Sequence, residues 1–308
     1  DLDYGLEHAG TPVVCKSKDF VNWSFEGSHI SDFDWSKGYE YTNDKGEKKK
    51  GYFRYWAPGR VIEHDGKFYL YVTFVKPGDK MGTYVLVADR PEGPFRFTEG
   101  KGLFVSGEEV DSPAIIDDID GEPFIDDDGT GYIFWRRRNA ARLSADRLHL
   151  DGEPVTLKTA RQGYSEGPVM FKRKGIYYYI YTLSGHQNYA NAYMMSRESP
   201  LTGFVKPEGN DIFLFSSPEN QVWGPGHGNV FYDERTDEYI FLYLEYGDGG
   251  TTRQIYANWM EFNDDGTIKT LVPDKRGVGY LAAPQEKRTN LSLQSHFYAS
   301  SEKEPRTS

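Results

Sequence analysis

The sequence predicts an all-β fold arranged as a five-bladed β-propeller, and three observations carry that reading. Amphipathic helical periodicity is scarce along the 308 residues. The composition favours strands and tight turns, with 23 Tyr, 19 Phe and 33 Gly. A unit of apolar run, polar turn and aromatic run recurs roughly every 45–65 residues, the scale of one propeller blade.

Four copies of the unit are clear. Residues 60–71 turn at Asp65-Gly66 and residues 123–135 turn through Asp126-Asp127-Asp128-Gly129. Residues 169–180 turn at Lys174-Gly175, and residues 229–243 turn between Asp233 and Asp237. Asp-Gly and Lys-Gly supply the positive φ that short hairpins need. Asp126 to Gly129 lacks the longer ligand pattern of a calcium loop and reads as a hairpin turn. Residues 12–23 form a weaker copy, the outer part of a first blade whose inner strands are not in this sequence, and bring the number of units to five. Residues 43–50 read as a polar loop, within an insert over 31–55 that is expected to wall one side of the channel. Residues 1–283 thus read as the propeller. Residues 284–308 read as a linker and the first strand of a further domain.

The formal net charge of −11 disfavours nucleic acid as a partner and suits a neutral or cationic ligand. Arg136-Arg137-Arg138 is therefore read as a solvated face. No apolar run is long enough to span a membrane. Cys15 is the only cysteine, so no intrachain disulfide forms.

Aligning the units on their hairpin glycines singles out two acids. Asp120 lies nine residues before Gly129, and Glu166 nine before Gly175. Trp56 lies ten before Gly66. Equal phase in consecutive blades places these residues near the start of an inner strand, on the central channel. Acids beside Gly and Pro also cap turns, but matched phase in two units favours chemistry. Paired acids suit glycoside hydrolysis, because clustering raises the pKa of one member and keeps it protonated as a general acid.

Four motifs in order then resemble glycoside hydrolase family 43. They are Trp56-Ala57-Pro58, residues 119–129 around Asp120, Ser165-Glu166-Gly167-Pro168, and Gly226-His227-Gly228. Gly121 departs from the pattern, which more often has Pro there. The resemblance implies a five-bladed propeller and an inverting hydrolase of plant cell-wall polysaccharide side chains, foremost an exo-α-L-arabinofuranosidase. β-Xylosidase, arabinanase and exo-β-galactosidase activities belong to the same family. Glu166 would be the general acid, with Asp120 orienting it and raising its pKa. The water-activating Asp of the family falls on the first inner strand, and neither Asp1 nor Asp3 matches it. His227 would help hold a Ca2+ ion in the channel, through water rather than by a direct imidazole bond; its other reading is a structural histidine bonded to backbone. Arg253 resembles an arginine that contacts sugar hydroxyls and otherwise reads as a strand arginine. Trp56 either stacks on a sugar ring or packs between blades. Asn290-Leu291-Ser292 with Ala299-Ser300-Ser301 resembles the opening strand of a discoidin-type carbohydrate-binding domain. The expected partner is an oligosaccharide or polysaccharide, the expected state a monomer, and the expected location secreted or periplasmic. Two further readings stand beside the enzyme: a non-catalytic sugar-binding propeller and a protein-interaction propeller.

Overall fold

The computed structural model describes residues 12–281, except 31–32, 79, 98–103, 106–107, 110–113, 184–187, 251–252 and 280. The expected further domain over 284–308 lies outside the described residues. Strands dominate. Two hairpins come first, β1 (Val13–Ser17) with β2 (Trp23–Ser28), and β3 (Gly38–Thr42) with β4 (Lys48–Tyr52). The first full blade is β5 (Arg54–His64), β6 (Lys67–Val75), β7 (Met81–Ala88) and β8 (Arg96–Phe97). A two-residue pair follows, β9 (Phe104–Val105) with β10 (Glu108–Glu109). The second blade is β11 (Glu122–Ile125), β12 (Gly131–Trp135), β13 (Asn139–Leu143) and β14 (Leu150–Thr156). The third is β15 (Ser165–Arg173), β16 (Ile176–Leu183), β17 (Ala190–Ser196) and β18 (Ile212–Leu214). The fourth is β19 (Gly226–Asp233), β20 (Glu238–Glu245) and β21 (Gln254–Met260).

Each blade is an antiparallel meander, and its first strand packs on the first strand of the next: β5 on β11, β11 on β15, β15 on β19. The all-β propeller is therefore present. The described residues form four blades rather than five. The fifth unit is the β1–β2 hairpin alone, wedged between the last blade and the first. Phe20 meets Phe231 of β19 at 5.1 Å between ring centroids. On the other side Phe95 N donates to His29 O at 2.7 Å. Among the described residues this unit has two strands, on which Trp23 and Phe25 are exposed.

The core lies between blades. One cluster joins the third and fourth blades through Phe171, Tyr178, Phe213 and Phe241. Another joins the second and third through Phe134, Met170 and Tyr179. A third joins the first and second through Tyr71, Ile133 and Trp135. Each such side chain contributes about 1.5–3 kcal/mol on burial. Several buried phenols are satisfied by neighbouring backbone: Tyr178 OH donates to Gly266 O at 2.6 Å and Tyr71 OH to Arg147 O at 2.8 Å.

Three hairpin turns fall where the glycines placed them, with positive φ at Gly66, Gly129 and Gly175, and the fourth lies between Asp233 and Asp237, with positive φ at Asp237. Asp126 to Gly129 is the β11–β12 turn, closed by Asp126 N donating to Thr130 O at 2.9 Å. Residues 43–50 differ from expectation. They belong to the β3–β4 hairpin, whose turn Asn43 closes by accepting from two backbone amides. Phe33, Trp35 and Phe53 fasten this arm to Tyr55 and Phe74 of the first blade. It packs on that blade and contributes nothing to the central cavity's described wall.

Candidate active site

A cavity of about 310 Å³ opens where the four first strands converge. Trp56 of β5, Asp120 just before β11, Gly167 of β15 and His227 of β19 line it, with Arg253 beside them. Glu166, only 5% exposed, reaches the same cluster next to Gly167. One oxygen each of Asp120 and Glu166 and one ring nitrogen of His227 lie within 4.8 Å of one another. The structure thus brings together all five residues singled out in the sequence.

Local backbone geometry explains how. β5, β15 and β19 each break register beside the site, at Trp56/Pro58, Glu166/Val169 and Gly226/Asn229. Such bulges re-aim side chains at the rim of a sheet. Positive φ accompanies each break, at Ala57 (38°), Gly167 (50°) and His227 (44°), and Asp120 has φ 69°. Hydrogen bonds hold these turns. Asp120 N donates to Thr73 Oγ1 at 3.1 Å, and Gly167 N to Asp120 Oδ2 at 3.0 Å. His227 N donates to Thr182 Oγ1 at 2.8 Å.

Both acids bind protons more tightly than ordinary carboxyls. Burial is the main cause for each. Asp120 adds to the rise at Glu166, while His227, Tyr164 and Arg253 oppose it. At Asp120 the opposition comes from His227, the Gly167 amide and Arg136. The Tyr164 hydroxyl donates a short hydrogen bond to Glu166 Oε2. Glu166 Oε1 and Asp120 Oδ1 are buried without a hydrogen-bond partner. Oε1 is therefore the oxygen of Glu166 whose hydrogen bonding the described residues leave open. Arg253 lies over the ring of Tyr246, and its Nη2 donates to the Tyr246 hydroxyl at 2.6 Å.

The basic run at 136–138 is more than a solvated face. Arg136 pairs with Asp118 at 2.6 Å and Arg138 Nη1 donates to Gly163 O at 3.1 Å. Sequence reasoning also passed over Arg60, Glu122, Asn229 and Tyr164. Glu122 and Asn229 stand two residues beyond Asp120 and His227 and line the same cavity. That shared offset was the available signal. Nothing local marks Arg60.

A calcium ion ligated directly by this cluster does not fit the donors. Calcium takes about six to eight oxygens. Asp120, Glu166 and His227 offer two carboxylate oxygens and one nitrogen. A divalent cation there would also hold Glu166 ionised.

Fold and site together define the class: a β-propeller with a buried acid pair at its channel, an arrangement suited to sugar hydrolysis. The chain belongs to glycosyl hydrolases family 43, whose family model matches residues 7–268. It is 30% identical over 233 residues to a beta-D-galactofuranosidase of Aspergillus niger, covering 69% of this chain and 64% of that protein. It is 25% identical to an arabinoxylan arabinofuranohydrolase of Bacillus subtilis, covering 91% of this chain and 58% of that one. The chain thus spans less than two thirds of the length of these curated relatives. A solved glycoside hydrolase superposes with a TM-score of 0.78 at 41% identity, over 92% of this chain and 61% of the other. A thermostable family-43 glycoside hydrolase at 23% identity shares the fold, with a TM-score of 0.68 over 89% and 88%.

Proposed function

We propose that the protein is an inverting, exo-acting glycosidase that removes furanosyl side chains, foremost α-L-arabinofuranose, from plant cell-wall polysaccharides. The observation that carries this reading is the buried acid pair, with oxygens of Glu166 and Asp120 within 4.8 Å of each other and of a His227 ring nitrogen, beside a small cavity that Asp120 and His227 line. Glu166 is the general acid, protonating the leaving oxygen from Oε1 while Tyr164 fixes Oε2. Asp120 raises the proton affinity of Glu166. Trp56 stacks on the sugar and Arg253 donates to its hydroxyls. A cavity of about 310 Å³ is at the small end for ligand sites and suits a terminal sugar better than a polymer chain.

Asp120 is not the base. Inverting enzymes hold acid and base about 6.5–9.5 Å apart to admit a water, and oxygens of Asp120 and Glu166 lie within 4.8 Å. Glu122 is not free for that role either, because both its oxygens accept hydrogen bonds from Arg60. The base is assigned to a carboxylate outside the described residues. A polymeric cell-wall substrate favours a secreted or periplasmic protein, and a cavity whose described lining comes from a single chain favours a monomer. This reading requires no calcium ion at the acid pair, whose described donors are two carboxylate oxygens and one nitrogen.

The Aspergillus niger relative favours a second reading, β-D-galactofuranoside hydrolysis at the same acid pair. The test is a panel of aryl α-L-arabinofuranoside, β-D-galactofuranoside, β-D-xyloside and β-D-galactoside on the full-length protein, with the product anomer read by NMR. Release of arabinose with inverted configuration is expected. Turnover of the galactofuranoside alone selects the second reading. Retained configuration removes the inverting mechanism, and sugar binding without turnover leaves a binding propeller.

A further inference from the structure

We propose that the side chain of Arg60 is a built-in cation at the channel, joining three blades without the calcium that the family resemblance implies. Arg60 lies on β5. Its Nε donates to Glu122 Oε1 at 2.6 Å, and its backbone N to Glu122 Oε2 at 2.9 Å. Its Nη2 donates to Asn229 Oδ1 at 2.8 Å, and Asn229 Nδ2 closes the triangle on Glu122 Oε1 at 3.2 Å. The three residues come from the first, second and fourth blades, up to 169 positions apart. Glu122 is 4% exposed, so its charge has no bulk water to lean on.

Glu122 and Asn229 line the same cavity as Asp120 and His227 and stand two residues from them along their strands. Their oxygens are the hard donors a calcium ion would compete for, and each already accepts from Arg60. A guanidinium suits the position. It is always protonated and presents donors in a rigid fork that reaches two partners at once. The blades are therefore tied at the channel without metal loading, and Asp120 and His227 keep their spacing through the same tie. Arg60 acts as a positioning residue.

The test reads folding and metal content, so its outcome is independent of the glycosidase reading. Wild-type protein is melted with EDTA and with millimolar calcium, and its calcium content is measured after desalting. The expected result is one Tm in both buffers and no stoichiometric calcium. Arg60→Met should lower Tm by roughly 5–10 °C, because it leaves a buried carboxylate unpaired. In that variant, added calcium should restore part of the loss. Adding Glu122→Gln should restore part of it without any cation. Should Arg60→Met fail to fold, the wild-type measurements and the Arg60→Met/Glu122→Gln double variant still decide. Stoichiometric calcium in the wild type, a fall of its Tm in EDTA, or an unchanged Tm in Arg60→Met would each overturn the proposal.

Discussion

Gly167 is the position where backbone, packing and the acid pair meet, and Gly167→Ala tests all three. Its φ is +50°, a region in which a residue with a Cβ loses roughly 1–2 kcal/mol. An added Cβ would also lie 2.9 Å from both Cα and Cγ of His227. The Cα belongs to a backbone held by the Thr182 hydroxyl, so it cannot simply swing aside. Overpacking of this kind costs about 1–3 kcal/mol. The two effects together amount to roughly 2–5 kcal/mol, a fall in Tm of about 5–15 °C for a domain of this size. Gly175→Ala, in the hairpin turn after the same strand, is the control. There φ is +75° and a Cβ would meet nothing within 4 Å, so only the conformational part remains. The assay is calorimetry with urea unfolding on both variants, together with turnover of an aryl furanoside. Gly167→Ala should lose more stability than Gly175→Ala and should also lose turnover, because His227 and the Gly167 amide on Asp120 are displaced. Equal losses of stability, or full turnover in Gly167→Ala, would refute the reasoning.

Glu166→Gln should reduce release of a poor leaving group by about 10²–10⁴-fold while sugar binding persists, as measured by steady-state kinetics and calorimetric titration; unchanged turnover removes Glu166 from the mechanism. The same variant should be more stable than wild type at neutral pH. The folded-state pKa of Glu166 lies above its ordinary value near 4.5, so stability is lost as pH rises from there through the folded value, and Gln does not titrate. The difference in urea midpoint should vanish at pH below the ordinary carboxyl range. Asp120→Asn removes a charge that raises the Glu166 pKa and should move the alkaline limb of the pH–rate profile down, whereas Tyr164→Phe removes a hydrogen bond that lowers it and should move that limb up. Limbs that stay in place in both variants would contradict the assigned acid. Gly121→Ala should destabilise by about 1–3 kcal/mol, because its Cβ would lie 2.5 Å from Thr83 Cγ2. Thr83→Ser, which deletes that methyl and keeps the hydroxyl donating to Asp118 O, should recover most of the loss.

The close fit of Gly121 against Thr83 gives the motif's departure from Pro a physical reason that no reading of the motif supplied. The relation of sequence to structure runs the same way elsewhere. Strand identity and hairpin turns were legible because the side-chain period of two and the positive φ of Gly66, Gly129 and Gly175 are local properties. Matched phase singled out Trp56, Asp120 and Glu166 for the same reason, since the hairpin glycine counts residues back to the start of its own strand. The β3–β4 hairpin was read as a loop because Asn43 to Lys50 is nearly all polar, and its strands are recognised only by pairing with each other and by the aromatics that fasten their arm to the first blade.

What the chain's order of residues determined alone is the set of short-range choices: where strands turn, and which acids stand at equal distance from a turn. What tertiary structure decided is which of those residues meet. Glu166 and Asp120 acquire their raised proton affinity from burial and from each other. Arg60 finds Glu122 and Asn229 across 62 and 169 positions. Contacts of that range arise only when the blades pack edge to edge, because no local pattern encodes the distance between two strands that never hydrogen-bond to each other.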